Sequence, residues 1–189
     1  MESQHHHPLW TRTLHACNGA LLIGMASSGL QIYNANPVFG GRAGEPIPSL
    51  FTLGGWLAGG RWWHFGLMGV FAFVLGSWLL LLMQWRRQRL GRGGDLETLS
   101  ASANAKKRNY AIHKILYTLM LVVLSLALLT GLAMYKPATL WWLSGWFGSW
   151  QQLRVLHFAT VPVMGVLVLG HVLLSLKLGG LRLLRTISW

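Results

Sequence analysis

Acid is the first thing this chain lacks. Of its 189 residues only four are carboxylates, Glu2, Glu45, Asp95 and Glu97, against 16 lysines and arginines. None of the four lies in a long apolar run, which speaks against a transmembrane proton relay built on carboxylates. Cysteine is scarcer still, with Cys17 alone. No disulfide can close within the chain, no C-x-x-C-H signature offers covalent attachment to a haem, and four-thiolate iron–sulfur ligation is out of reach. Cys17 is therefore read as a packing residue.

What remains is overwhelmingly apolar. Hydrophobic residues make up 53% of the chain, and 11 tryptophans are among them. Four uncharged runs stand out: Thr13–Tyr33, Trp62–Gln84, Ile115–Tyr135 and Val155–Leu176. Each approaches or exceeds the ~20 residues that a helix needs to cross a bilayer. The first run is too long for the apolar core of a cleaved signal, and no small-residue cleavage pattern follows a basic start. The pattern predicts an all-α integral membrane four-helix bundle, one domain over 1–189, with helices near about 11–33, 61–85, 110–135 and 152–178.

The net charge of +12 could suggest nucleic acid, but its distribution points elsewhere. Twelve of the 16 cations sit in or beside the 86–108 connection and the two chain ends; only Arg42, Arg61, Lys136 and Arg154 lie on the other side. Cytoplasmic loops carry the excess of Lys and Arg, so both termini and the 86–108 loop are expected in the cytoplasm, facing lipid headgroups rather than nucleic acid. Glycines 91, 93 and 94 are expected to break any helix continuing past Arg89. The prolines and glycines of 34–60 mark one external loop, and the tryptophans of 137–150 mark another, at headgroup depth or under a docked external subunit. His5, His6 and His7 read as a polar tail.

The histidines inside the apolar runs carry the chemistry. His157 and His171 lie fourteen residues apart on the fourth run. At ~100° per residue they leave one side of a helix, separated by ~21 Å along its axis. Alternating topology then pairs His64 with His157 toward the outer surface and His15 with His171 toward the inner one. Imidazole within lipid is rare and faces the bundle interior. Two imidazoles opposed across a bundle suit the two axial positions of a haem iron, whereas zinc requires about four converging ligands. Arg12, Arg61 and Arg154 each precede a proposed ligand by three residues, in R-T-L-H, R-W-W-H and R-V-L-H. That spacing puts a guanidinium one turn nearer the surface, where haem propionates would sit. Gly19, Gly66, Gly69, Gly165 and Gly170 could admit a flat macrocycle or simply serve helix packing. His113, beside Lys114 and preceded by Asn109 and Tyr110, has three readings: a competitor for the inner haem, a hydrogen-bonding or proton-transfer residue at a quinone pocket, or an interfacial histidine.

This arrangement resembles the bacterial cytochrome b561 and nickel-hydrogenase cytochrome b family, the membrane subunits of formate dehydrogenase and hydrogenase. The likeness covers all four helices: one histidine on the first, one on the second, and two on the fourth at fourteen-residue spacing. It implies two non-covalent b-type haems, with His15 and His171 ligating the cytoplasmic-side iron and His64 and His157 the periplasmic-side one. It further implies electron transfer across the bacterial inner membrane between quinone and a periplasmic redox subunit, similar to a molybdopterin oxidoreductase or a hydrogenase. The sequence departs from the family at Ala16, where an aromatic is common. It departs again in N-Y-A-I-H-K, where His113 takes the place of the glutamine in an N-x-x-Q-K-like quinone pattern. A stand-alone cytochrome taking electrons from a small external reductant is the alternative of the same class. A histidine-containing metal transporter and a structural membrane anchor are those of another.

Overall fold

The computed structural model describes residues 9–40, 44–85 and 87–188, and the side chains within 9–84, 87–180 of that range. The expectations for His5–His7 and Arg42 fall outside it. Every regular element among the described residues is helical. In chain order they are α1 (Leu9–Ala35), a 3₁₀ turn at Ser49–Phe51, α2 (Leu57–Trp85), a second 3₁₀ turn at Arg87–Arg89, α3 (Gly93–Ala101), α4 (Ala105–Tyr135), α5 (Trp141–Trp146) and α6 (Trp150–Ser188).

The four long helices stand where the apolar runs predict them, but they begin earlier, and caps explain two of the starts. Asn104 Oδ1 accepts the backbone N–H groups of Lys106 and Lys107 at 3.0 and 3.2 Å, so α4 opens on an Asn N-cap before the basic cluster. Ser149 and Gln152 form a reciprocal capping box: Gln152 N–H reaches Ser149 Oγ at 3.2 Å, and Ser149 N–H reaches Gln152 Oε1 at 2.7 Å. α6 extends beyond the expected end at 178 by breaking and resuming. Gly180 sits at φ 59°, ψ −158°, a left-handed backbone that an L side chain rarely adopts. Pro162 lies within α6 and leaves one carbonyl of the preceding turn without its helical donor.

The 86–108 connection is more ordered than its glycines suggest. Gly93 and Gly94 do not end a helix; they begin α3. Asp95 supplies the missing start signal by accepting the Arg92 N–H at 2.8 Å, with its negative charge in the first turn. The same carboxylate takes Lys114 Nζ at 2.6 and 2.9 Å, tying α3 to α4. That charge-assisted bond holds the Asp95 carboxyl below its ordinary value of 3.8.

Among the described residues three helical segments are long and apolar enough to cross a membrane: Leu57–Gln84, Ala105–Tyr135 and Trp150–Gly180. Only 11–28% of their most apolar windows is buried within the protein, so most of those side chains face outward. Such a surface belongs in lipid. α1, at 27 residues, has the length but falls short in apolarity, because it carries Asn18, Ser27, Ser28, Gln31 and Asn34. The four-span expectation is thus met by three helices on both criteria and by α1 on length alone.

Contacts group the chain into two compact units, and each long helix gives one part to each. The first unit (residues 1–16, 77–125 and 162–189) packs Trp78, Leu82 and Leu121 against Leu14, Leu81, Leu90 and Tyr117. The second (residues 17–76 and 126–161) packs Ala133, Leu143 and Leu153 against Leu132, Met134, Leu140 and Phe147. In the second unit the 36–56 loop is pinned to α1, since the Asn34 amide both donates to Ile47 O and accepts Ile47 N–H, each at 2.8 Å.

Candidate functional site: two opposed histidine pairs

In the second unit His64 and His157 face each other, with ring centres 6.2 Å apart and planes at 89°. Their Nδ1 atoms are anchored in the same way. His64 Nδ1 lies 3.1 Å from Met25 O and 3.0 Å from Ser28 Oγ. A carbonyl can only accept, so Nδ1 carries the proton. Ser28 spends its own proton on Gly24 O at 2.7 Å and is free to accept as well. His157 Nδ1 lies 2.8 Å from Thr130 Oγ1, whose hydroxyl donates to Leu126 O at 2.7 Å. By the same reasoning His157 donates from Nδ1. Both rings therefore hold an unprotonated Nε2, the form that binds metal.

Each anchoring hydroxyl is followed by a glycine under the ring. A Cβ at Gly29 would stand 3.3 Å from His64 Cε1, and one at Gly131 would stand 3.2 Å from His157 Cε1. The dipeptides Ser28–Gly29 on α1 and Thr130–Gly131 on α4 thus cradle the two imidazoles, and both hydroxyl residues are fully buried. Thr130 bonds back to its own helix, as a mid-helix threonine is expected to, and serves His157 with its remaining lone pair.

In the first unit His15 and His171 lie with ring centres 6.5 Å apart and planes at 30°. They open onto a cavity of about 370 Å³, lined also by Trp78, Tyr110, His113, Tyr117 and Ser175, and by the cations Arg12, Arg89, Lys106 and Lys114. Trp78 meets His15 edge-on and donates its indole N–H to Tyr117 OH. Tyr117 in turn lies 6.2 Å from the His171 ring. Arg12 Nε and His171 Nδ1 are buried without a hydrogen-bond partner at that atom.

His113 stacks on His171 at 4.6 Å and lies 3.1 Å from Ser175 Oγ through Nε2. Ser175 donates to His171 O at 2.8 Å, so it accepts from His113, whose Nε2 is committed as a donor. His113 is placed beside the pair, as a wall of the cavity.

The pair separations test the fit to haem. An imidazole–metal bond is about 2 Å and a ring nitrogen lies roughly 1.1 Å from its ring centre, so two imidazoles in trans on one ion have centres about 6.3 Å apart. The observed 6.2 and 6.5 Å match this, whereas the 4.6 Å between His113 and His171 is a stacking distance. Among the described residues no three His, Cys, Asp or Glu side chains converge to hold a bare ion. Two opposed nitrogen donors fit a group that brings its own equatorial ligands, as haem does.

The remaining residues singled out in the sequence divide. Arg12 and Tyr110 line the cavity, and Asn109 is not among its lining residues. Arg154 is engaged by protein, donating to Asn36 O at 2.7 Å and to Gln151 Oε1 at 3.3 Å. Arg61 is exposed. Of the glycines, a Cβ at Gly19, Gly66, Gly69 or Gly165 would meet nothing within 4 Å, while one at Gly170 would meet Leu116 at 3.2 Å. The glycines that touch the imidazoles, Gly29 and Gly131, were not singled out; nor were Ser28, Ser175, Trp78 or Tyr117.

Opposed imidazoles, half-buried at His64, His157 and His171 and more exposed at His15, stand among outward-facing apolar helices, as suits a membrane protein that carries haem. The chain belongs to the prokaryotic cytochrome b561 family, whose model matches residues 6–187. Membership brings b-type haem and a part in electron transfer. The chain is also similar to a protein of Azospira oryzae whose name describes a protein-methionine-sulfoxide reductase subunit, YedZ1. The two are 26% identical over 181 residues, covering 88% of this chain and 87% of the relative. No solved structure matches the chain.

Proposed function

We propose that this single-domain protein holds two b-type haems, one at each histidine pair, and passes electrons across the bacterial inner membrane between the quinone pool and a periplasmic redox subunit. The observation that carries the reading is the recurrence of one separation, 6.2 Å at His64–His157 and 6.5 Å at His15–His171, close to the value for trans imidazoles on a shared iron. When bound, each group would supply reversible one-electron chemistry. The chain's own part would be to hold each group between the imidazoles of a pair, with the Nδ1–H of His64 kept by Met25 O and Ser28 Oγ and that of His157 by Thr130 Oγ1. Arg12 supports propionate binding from the wall of the cavity; Arg61 and Arg154 take that part at the other site.

Tyr110 and His113, on the wall of the same cavity, and the neighbouring Asn109 are the proposed quinone contacts. Both termini and α3 lie on the cytoplasmic side in this reading, because the cation asymmetry favours it. The likeness to a reductase subunit favours, as external partner, a catalytic subunit that reduces an oxidised sulfur compound. The test is a reduced-minus-oxidised spectrum of purified protein with a haem-to-chain ratio. Two haems per chain and a b-type α-band near about 560 nm are expected. H157A and H171A should each remove a different haem; retention of both haems in either variant overturns the pairing.

A further inference from the structure

The two histidine pairs are not equivalent. At His64–His157 both Nδ1–H groups end on oxygen, on Met25 O and Ser28 Oγ at one ring and on Thr130 Oγ1 at the other. Glycine at 29 and 131 lets each ring settle that close to its anchor, with Cε1 only 3.3 and 3.2 Å from where a Cβ would be. At His15–His171 no such anchor is present at His171, whose Nδ1 is buried with no hydrogen-bond partner. A hydrogen bond from the distal N–H makes an imidazole a more basic, more donating ligand. Greater donation favours oxidised iron and lowers the reduction potential; an imidazole without that bond donates less.

From this asymmetry, and resting on the two-haem reading above, we propose that the Ser28–Gly29 and Thr130–Gly131 cradles make His64–His157 the low-potential site and His15–His171 the high-potential one. In the half-reduced protein the electron rests at His15–His171. Ser28 and Thr130 are positioning residues: they act on the iron only through the ring each one holds.

The experiment is a mediated potentiometric titration of the purified haem-loaded protein, followed at the α-band, with the haem-to-chain ratio measured on every sample. Two waves are expected. H157A should delete the lower and H171A the upper. T130V, which keeps shape and removes the hydroxyl, should move the lower wave upward and leave the upper wave in place, while T130S should titrate like the parent. Deletion of the lower wave by H171A overturns the proposal, as does a T130V protein with two haems and unmoved waves. If T130V retains only one haem, S28A decides by the same two results, with a smaller shift because Met25 O still accepts from His64. One haem per chain in the parent overturns the two-haem reading itself, and that ratio separates the two failures.

Discussion

Alanine at Gly131 should loosen the haem held by His157. The added Cβ would stand 3.2 Å from His157 Cε1, and comfortable carbon contacts begin at roughly 3.5 Å, so the ring must retreat by a few tenths of an ångström. It cannot do so freely, because Nδ1 is held 2.8 Å from Thr130 Oγ1, one residue before the substitution. Overpacking of this kind costs about 1–3 kcal/mol. The exchange of glycine for alanine inside a helix returns roughly 0.5–1 kcal/mol. A net penalty of about 1–2 kcal/mol corresponds to a roughly 5–30-fold weaker hold on the haem at that site. Gly165 supplies the control, since a Cβ there meets nothing within 4 Å, and G165A should match or slightly exceed the parent. The assay is haem retained per chain after stepwise heating in detergent, followed by the Soret band and a pyridine haemochrome. A G131A protein that holds both haems as firmly as G165A would refute the reasoning.

Other outcomes follow from the same contacts. H113A should retain both haems, because His113 Nε2 is spent on Ser175; a lost haem in that variant would make His113 a ligand. D95N should release α3 from α4, at about 0.5–1 kcal/mol for a lightly exposed ion pair, read as roughly 2–5-fold faster amide exchange over 93–101. Because the folded Asp95 carboxyl lies below its ordinary value, the pair's contribution is complete above that value and fades only as pH falls through the lowered one. Protection of α3 in the parent should therefore be unchanged between neutral pH and mild acid; loss of protection near pH 6 would contradict this. Removing haem should lower the unfolding midpoint, since a group bound at 100 times its dissociation constant contributes about 2.7 kcal/mol, and re-adding haem should restore it. A midpoint indifferent to haem would deny it any structural hold.

Hydropathy made the long helices legible, because a bilayer imposes length and apolarity directly on sequence. Their ends were less so. The S-W-Q-Q capping box at Ser149–Gln152 was readable from spacing alone, whereas the start of α3 at two glycines runs against propensity and depends on Asp95, whose second partner lies 19 residues away. Pairing of the histidines followed from topology and depth. The cradles did not, for a definite reason: Thr130 looks like any mid-helix threonine, and its second hydrogen bond exists only once α6 brings His157 alongside. The glycines show the same limit. Position along a helix does not reveal which face meets a neighbour, so Gly29 and Gly131 could not be separated from Gly66 or Gly165.

The polarity of α1 bears on how the protein is made. A segment with Asn18, Ser28, Gln31 and Asn34 in its length partitions poorly by itself. Ser28 meets His64 at 3.0 Å and Leu53 N–H bonds Ser27 O at 3.1 Å, so the groups that satisfy it arrive with the next segment. α1 is therefore expected to enter the bilayer more readily with α2 than alone, which an insertion assay on α1 with and without α2 would check.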